Sequence, residues 1–450
     1  MTPKIITLSP GSGRSQIPHG VQDRFLTEAA RRRQAEEVVR ECFARWGYQE
    51  VIPPTFEFYE NLSIGASAEL QEAMYRFLDQ KGRTLALRAD FTPQMARMAA
   101  TKLFDQPMPL RCSYVGSLFR YEEPQAGRKR EFTQAGIELI GANTAEADAE
   151  VVALAIDALE ALELRSFQVN LGQMAFFRCL TRGLPVETLV AVREAIDHKN
   201  QARLVQALDQ AGMTGSRARL LKRLPALIGG PDVLEEARDL SAHLGLDADS
   251  DQGPGVRTAL ERLSEVYRLL QAYGVADRVI LDLSEVRGMD YYTGITFRGV
   301  APGLGWPVLS GGRYDELIAR FGRPLAAIGF GIGIERALLI QSHQGVPIPS
   351  HGPHLLVHGC DHAECLALLR RLREKGCRVE LDVMSIEVAA LIDQARQRGI
   401  QRVLRCCGDR WRLWDGEDER DVTGEAELQE AELWTSTGAR GCVPEERRRK

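Results

Sequence analysis

Strand-like sequence occupies residues 83–141, and a helical pattern runs from about Gln173 to Asp277 before strands resume with RVILDLS at Arg278. This interruption constrains the fold more than any other feature. The helical stretch, broken by turn-like GLPVE, the Gly212–Gly215 region, IGGPD and DADSDQGPG, reads as an insertion within a larger strand-bearing domain. The first strand block contains LALRAD, CSYVGSLFRY and REFTQAGIELIG. These are short β-rich runs broken by Gly and Pro, as in antiparallel strands joined by loops. The second runs through DYYTGITFRG and SGGRYDELIARFG to PLAAIGFGIGIERALLIQ, a strand feeding a helix. Helices precede and separate the blocks. Ala35, Val38, Val39, Cys42, Phe43 and Trp46 recur at helical spacing up to Gly47, and Ala145–Leu162 opens with acids, as the helix dipole favours. Pro53 and Pro54 cannot donate backbone hydrogen bonds, which sends QEVIPPTFEFYENL to a sheet edge or an interface.

The expected organisation is a core over 1–340 with an insertion at about 173–277, a linker over 341–353 that includes GVPIPSHGP, and a second domain over 354–450. In that last part HLLVHG, Ala363–Glu374, CRVELDV, Ile386–Arg396 and QRVLRCC alternate strand with helix, the pattern of a small α/β domain. It carries an acidic stretch, Asp415–Glu432, with nine acids against one arginine. The 450 residues, 44% hydrophobic and 26% charged, are ordinary for a globular protein, and a net charge of -5 gives no global reason to expect nucleic acid or an anionic membrane. No apolar run approaches the ~18 residues that span a bilayer, and the polar N-terminus lacks a signal-peptide core. Nine scattered cysteines without a CxxC pair fit reduced thiols in the cytoplasm. His351, His354, His358, Cys360, His362 and Cys365 match no zinc spacing, so no metal site is expected.

Three arginine-centred segments point to chemistry: Phe119-Arg120-Tyr121-Glu122, Val286-Arg287-Gly288-Met289-Asp290-Tyr291-Tyr292, and Gly333-Ile334-Glu335-Arg336. Each sets an arginine at a strand end or a helix start. With GGRYD and buried-looking acids, they suggest a pocket for a molecule carrying carboxylate or phosphate groups. The glycines of GFGIG are too irregular for a dinucleotide fingerprint and read as sites of close strand–helix packing or of ligand approach to the backbone.

These segments carry a resemblance. GYQEVIPPTFE, FRYEEPQAGRKREF and GFGIGIERALL resemble motifs 1, 2 and 3 of class II aminoacyl-tRNA synthetases, and VRGMDYYTG and SGGRYD resemble segments of the histidyl-tRNA synthetases. The resemblance, over roughly residues 17–340, implies an α+β fold: an antiparallel sheet flanked by helices, with motif 1 at a dimer interface. It also implies a histidine site. Glu138 and Tyr292 would read the imidazole. Asp90, Thr92 and Gln134 would hold the α-amino group, with Arg287 and Arg120 at the carboxylate. Glu122, Phe132 and Arg336, with Arg120, would be what remains of an ATP site.

Four departures turn the expectation away from tRNA charging. LRADFTP replaces LRPEGT, and Glu123 stands where motif 2 of the synthetases has an arginine that reads the acceptor end. The insertion lacks their LDCK segment, and no lysine lies between Lys375 and Lys450 in the anticodon-binding-like domain. IPPTFEFYENL, LRADFTPQMAR, EFTQAGIELIG and GFGIGIERALLIQ look instead like the regulatory subunits of ATP phosphoribosyltransferase. That resemblance implies a non-catalytic homodimer without cofactor or tRNA. It would bind L-histidine and join a short-form catalytic subunit in a hetero-oligomer, to activate it and impose feedback on histidine biosynthesis. A divergent histidyl-tRNA synthetase, and a stand-alone histidine sensor, remain as alternatives.

Overall fold

The computed structural model describes residues 17–123, 129–242, 244–246, 249, 254–286, 291–347, 352–359, 361–406 and 410–422. The chain divides into two compact units, the first carrying Arg32–Val346 and the second Pro347 onward.

Both strand blocks of the first unit join one sheet. Its order is Gln49–Glu50, Leu110–Phe119, Glu131–Ile140, Ala327–Gly333, Leu309–Arg313, Ile295–Val300, Gln168–Gln173, Val279–Asp282 and Ile228–Gly229. The six strands from Leu110–Phe119 to Gln168–Gln173 run antiparallel, and parallel neighbours occur only toward the edges. Strands on either side of the insertion therefore pair across it. The strand Gln168–Gln173, which the sequence pattern does not announce, forms the hinge of that arrangement. Within the insertion helices run from Met174–Thr181 to Val256–Ala272, and one short strand, Ile228–Gly229, departs from the expected all-helical pattern to pair at the edge of the sheet.

Ala145–Ala161 is the central helix. Twelve of its residues are buried, Val151, Val152, Leu154, Ile156 and Leu159 among them, and the Thr144 side chain caps it by accepting from the Ala147 N–H. LALRAD departs from the expected grouping. Its strand, Thr84–Leu87, lies between Phe56–Phe58 and Arg76–Leu78 in a separate three-stranded sheet.

The second unit has a five-stranded sheet with Val379–Leu381, Leu355–Val357 and Val403–Cys406 parallel. Leu355 and Val357 face helix Ala363–Glu374, while Leu356 faces helix Val388–Gln397. Trp411–Trp414 and Glu419–Val422 extend this sheet as an antiparallel hairpin. Part of the acidic stretch is thus an edge strand. Arg412 lies 3.0 Å from Asp421 and 3.8 Å from Glu419, so some of that charge is neutralised locally. ERDV has weak strand propensity, which hides it from a sequence reading. No helix among the described residues is long and apolar enough to cross a membrane.

Candidate functional site

One face of the large sheet is floored by small residues. Across the strands, Glu138 pairs with Gly329, Gly329 with Gly312, and Gly312 with Thr296. The next row runs Tyr114, Gly136, Gly331, Ser310 and Arg298. Period-two alternation thus sends Glu138, Gln134 and Phe132 to one face of a single strand, opposite residues too small to fill the space. The result is a cavity of about 1500 Å³.

Glu138 lies at the centre of this wall and is 1% exposed. Its carboxylate accepts from Tyr314 Oη at 2.6 Å, Thr92 Oγ1 at 3.0 Å and Tyr114 Oη at 3.5 Å. Burial pushes its pKa up to about 8 despite those hydroxyl donors, and the nearby Asp90 charge adds to the rise. Asp90 accepts from Tyr291 Oη at 3.1 Å. Deeper support comes from Phe91, which stacks on Tyr114 with ring centroids 4.3 Å apart. A second buried carboxylate, Glu285, ion-pairs with Arg298, and burial raises its pKa to about 7.

Asp90, Thr92, Arg120, Gln134, Glu138 and Tyr292 all line this cavity, and so do Glu122, Phe132 and Arg336. Arg287 lies outside the described residues, together with Gly288, Met289 and Asp290. Arg120 donates from Nε to the Ala89 carbonyl at 2.9 Å and sets its guanidinium 5.3 Å from the Phe132 ring. Arg336 donates to the Pro307 carbonyl at 2.8 Å, and Gln134 Oε1 is a buried acceptor with no donor among the described residues. Such an acceptor fits an ammonium ligand.

The residue matches follow this geometry. The histidyl-tRNA synthetase family model matches residues 20–337. An ATP phosphoribosyltransferase regulatory subunit of Moorella thermoacetica is 42% identical over 387 residues, covering 86% of this chain and 96% of that protein. The chain belongs to the family of ATP phosphoribosyltransferase regulatory subunits. A crystal structure described as an ATP phosphoribosyltransferase regulatory subunit/histidyl-tRNA synthetase, from Bacillus halodurans C, superposes with a TM-score of 0.75 at 31% identity, covering 88% of this chain and 98% of that one. A histidyl-tRNA synthetase from Nostoc sp. PCC 7120 shares the fold, with a TM-score of 0.76 at 21% identity over 93% of this chain and 98% of that one.

In this family member the site depends on residues that the sequence reading did not single out. Tyr114, Tyr291 and Tyr314 supply hydroxyls to the two carboxylates, and Glu285 with Arg298 completes one wall. Tyr314 lies within SGGRYD, so the segment pointed to it without naming the residue. Glu285 and Arg298 have no local signature, because a strand and the loop before it bring them together. The glycines of GFGIG line the cavity, where the reading as sites of ligand approach would put them, and two of them do something more. A Cβ on Gly329 would collide with Glu138 Oε2 and the Ile137 carbonyl, and one on Gly331 with the Gln134 amide. They make room for the site's own side chains. Gly329→Ala is therefore expected to lower stability by about 1–3 kcal/mol and to displace Glu138. A urea titration with calorimetric ligand binding checks both effects. An undisturbed variant would mean the strands shift freely at this point.

Proposed function

We propose that this chain is the non-catalytic regulatory subunit of an ATP phosphoribosyltransferase, binding L-histidine to impose feedback on a short-form catalytic subunit that it also activates. The observation that carries this reading is the gathering of Asp90, Thr92, Gln134, Glu138 and Tyr292 around one cavity in a chain with regulatory subunits as relatives. Two carboxylates and an unsatisfied amide oxygen suit a ligand with an ammonium at one end and a nitrogen heterocycle at the other. A retained ligand site without its usual reaction calls for another output, and coupling to a partner enzyme supplies one.

The reading includes a homodimer. Phe56, Phe58 and Phe77 are exposed on one face of the small sheet, with the Phe56 and Phe77 rings 5.7 Å apart, an apolar surface of the kind a second chain covers. The expected assembly is a homodimer within a hetero-oligomer. Mixing the purified subunits and sizing them by light scattering tests it, and no association at micromolar concentration sinks the assignment.

Arg120, Glu122, Phe132 and Arg336 on the same cavity favour a second reading, a divergent histidyl-tRNA synthetase. Glu123, exposed at the described edge of the motif 2 loop, opposes it by placing an acid where acceptor-stem phosphates would approach. We therefore expect no aminoacylation of cognate tRNA with histidine and ATP. Turnover in the ordinary enzyme range of ~1–10³ s⁻¹ would install the synthetase reading instead.

A further inference from the structure

Charge balance around Glu138 carries one step further, resting on the histidine reading above. Asp90 and Glu138 are both buried, and every hydrogen bond to their side-chain oxygens comes from a hydroxyl or a backbone N–H. No arginine or lysine among the described residues hydrogen-bonds or ion-pairs with either one. The titratable groups facing Glu138 are Cys112 and Tyr114 from its neighbouring strand, with Tyr48, Asp90, Tyr291, Tyr292 and Tyr314. On the other side, strand Ala327–Gly333 presents only Gly329. None of these groups is a cation. Donors are thus already aimed at both carboxyls, while the described arginines of the cavity bond elsewhere: Arg120 to the Ala89 carbonyl, Arg193 to the Val286 carbonyl, Arg298 to Glu285 and Arg336 to the Pro307 carbonyl.

A ligand can bring a cation directly to these two carboxyls, and histidine offers two cationic positions. Its α-ammonium suits Asp90 and Gln134. Its ring is left for Glu138. We propose that histidine is held here as an imidazolium paired with an ionised Glu138. On entry the Glu138 O–H bond breaks and a ring N–H bond forms, so the proton moves from carboxyl to ring nitrogen and none is gained or lost near neutral pH. The three hydroxyls that donate to Glu138 then stabilise the carboxylate they already surround. The proton affinities of the empty-site carboxyl, about 8, and of a free imidazole lie within about two pH units, so a contact ion pair in a poorly solvated pocket has little to overcome. Selectivity then follows from ring basicity as well as shape.

The test uses the full chain at pH 8, where free histidine has a neutral ring. ¹⁵N-labelled histidine bound to the protein should give imidazolium shifts for both ring nitrogens. A companion titration compares 2-fluorohistidine, close in size but far less basic, which should bind at least tenfold more weakly than histidine. A bound ring with one protonated and one bare nitrogen, or equal affinity for the two ligands, would overturn the ion pair while leaving histidine binding intact. Failure of histidine to bind at all would instead remove the reading on which the proposal rests, and the proposal with it.

Discussion

A complex carrying Glu138→Gln should assemble with the short catalytic subunit and keep its phosphoribosyl transfer, but lose histidine inhibition. The carboxylate is 1% exposed and accepts three hydroxyl hydrogen bonds, so it has no surface from which to contact a partner chain. Glutamine keeps its shape and can satisfy the same hydroxyls, which protects the fold. It cannot supply a charge to the ligand ring. Losing one charge-assisted bond in a buried site costs about 1.5–3 kcal/mol, or one to two decades of affinity. Feedback coupling is itself typically only 1–3 kcal/mol, so the inhibition curve should move by the full loss of binding. The measurement is a histidine dose–response of transfer activity in wild-type and variant complexes. Equal inhibition of both would mean that the effective histidine binds elsewhere.

The same substitution should make the isolated protein more stable at alkaline pH. Glu138 has a folded-state pKa of about 8 against 4.5 unfolded, so between those values the native state holds a proton that the unfolded chain has released. Stability is fully present below pH ~4.5 and is lost as pH rises through ~8. The loss is of order 3–5 kcal/mol, and glutamine does not suffer it. Urea midpoints of the two proteins should therefore coincide near pH 5 and separate at pH 8.5, with Glu138→Gln the higher. Glu285, also raised to about 7, contributes a parallel loss to both proteins and cancels in the comparison. Midpoints that stay together across the range would show that Glu138 is ionised in the empty protein. Better stability with lost regulation is what a site kept for function predicts.

Local pattern made much of the fold legible. The helix Ala363–Glu374 has the bounds that its sequence suggests, the strand Glu131–Ile140 lies within the run REFTQAGIELIG, and the strand Leu110–Phe119 overlaps CSYVGSLFRY but starts two residues before it. Strong periodicity over ten or more residues leaves few alternatives. Short or charged strands were not legible in that way. Gln168–Gln173 has no turn signal before the helix that follows it, and Glu419–Val422 is held by its hairpin partner rather than by propensity. Pairing partners are not written in the local pattern, so LALRAD resembles the strands that follow it although it joins a separate sheet.

From its sequence alone this chain had a synthetase-like core, and motif residues such as Glu138, Thr92 and Arg120, because spacing and residue type survive in one dimension. Tertiary structure alone decided what surrounds those residues. Tyr291 reaches Asp90 across 201 positions, and Tyr314 reaches Glu138 across 176. Glycines far along the chain open the space for Glu138 and Gln134. The charge state of a buried carboxyl is likewise a property of its surroundings, since desolvation and neighbouring donors set it and no local motif encodes either.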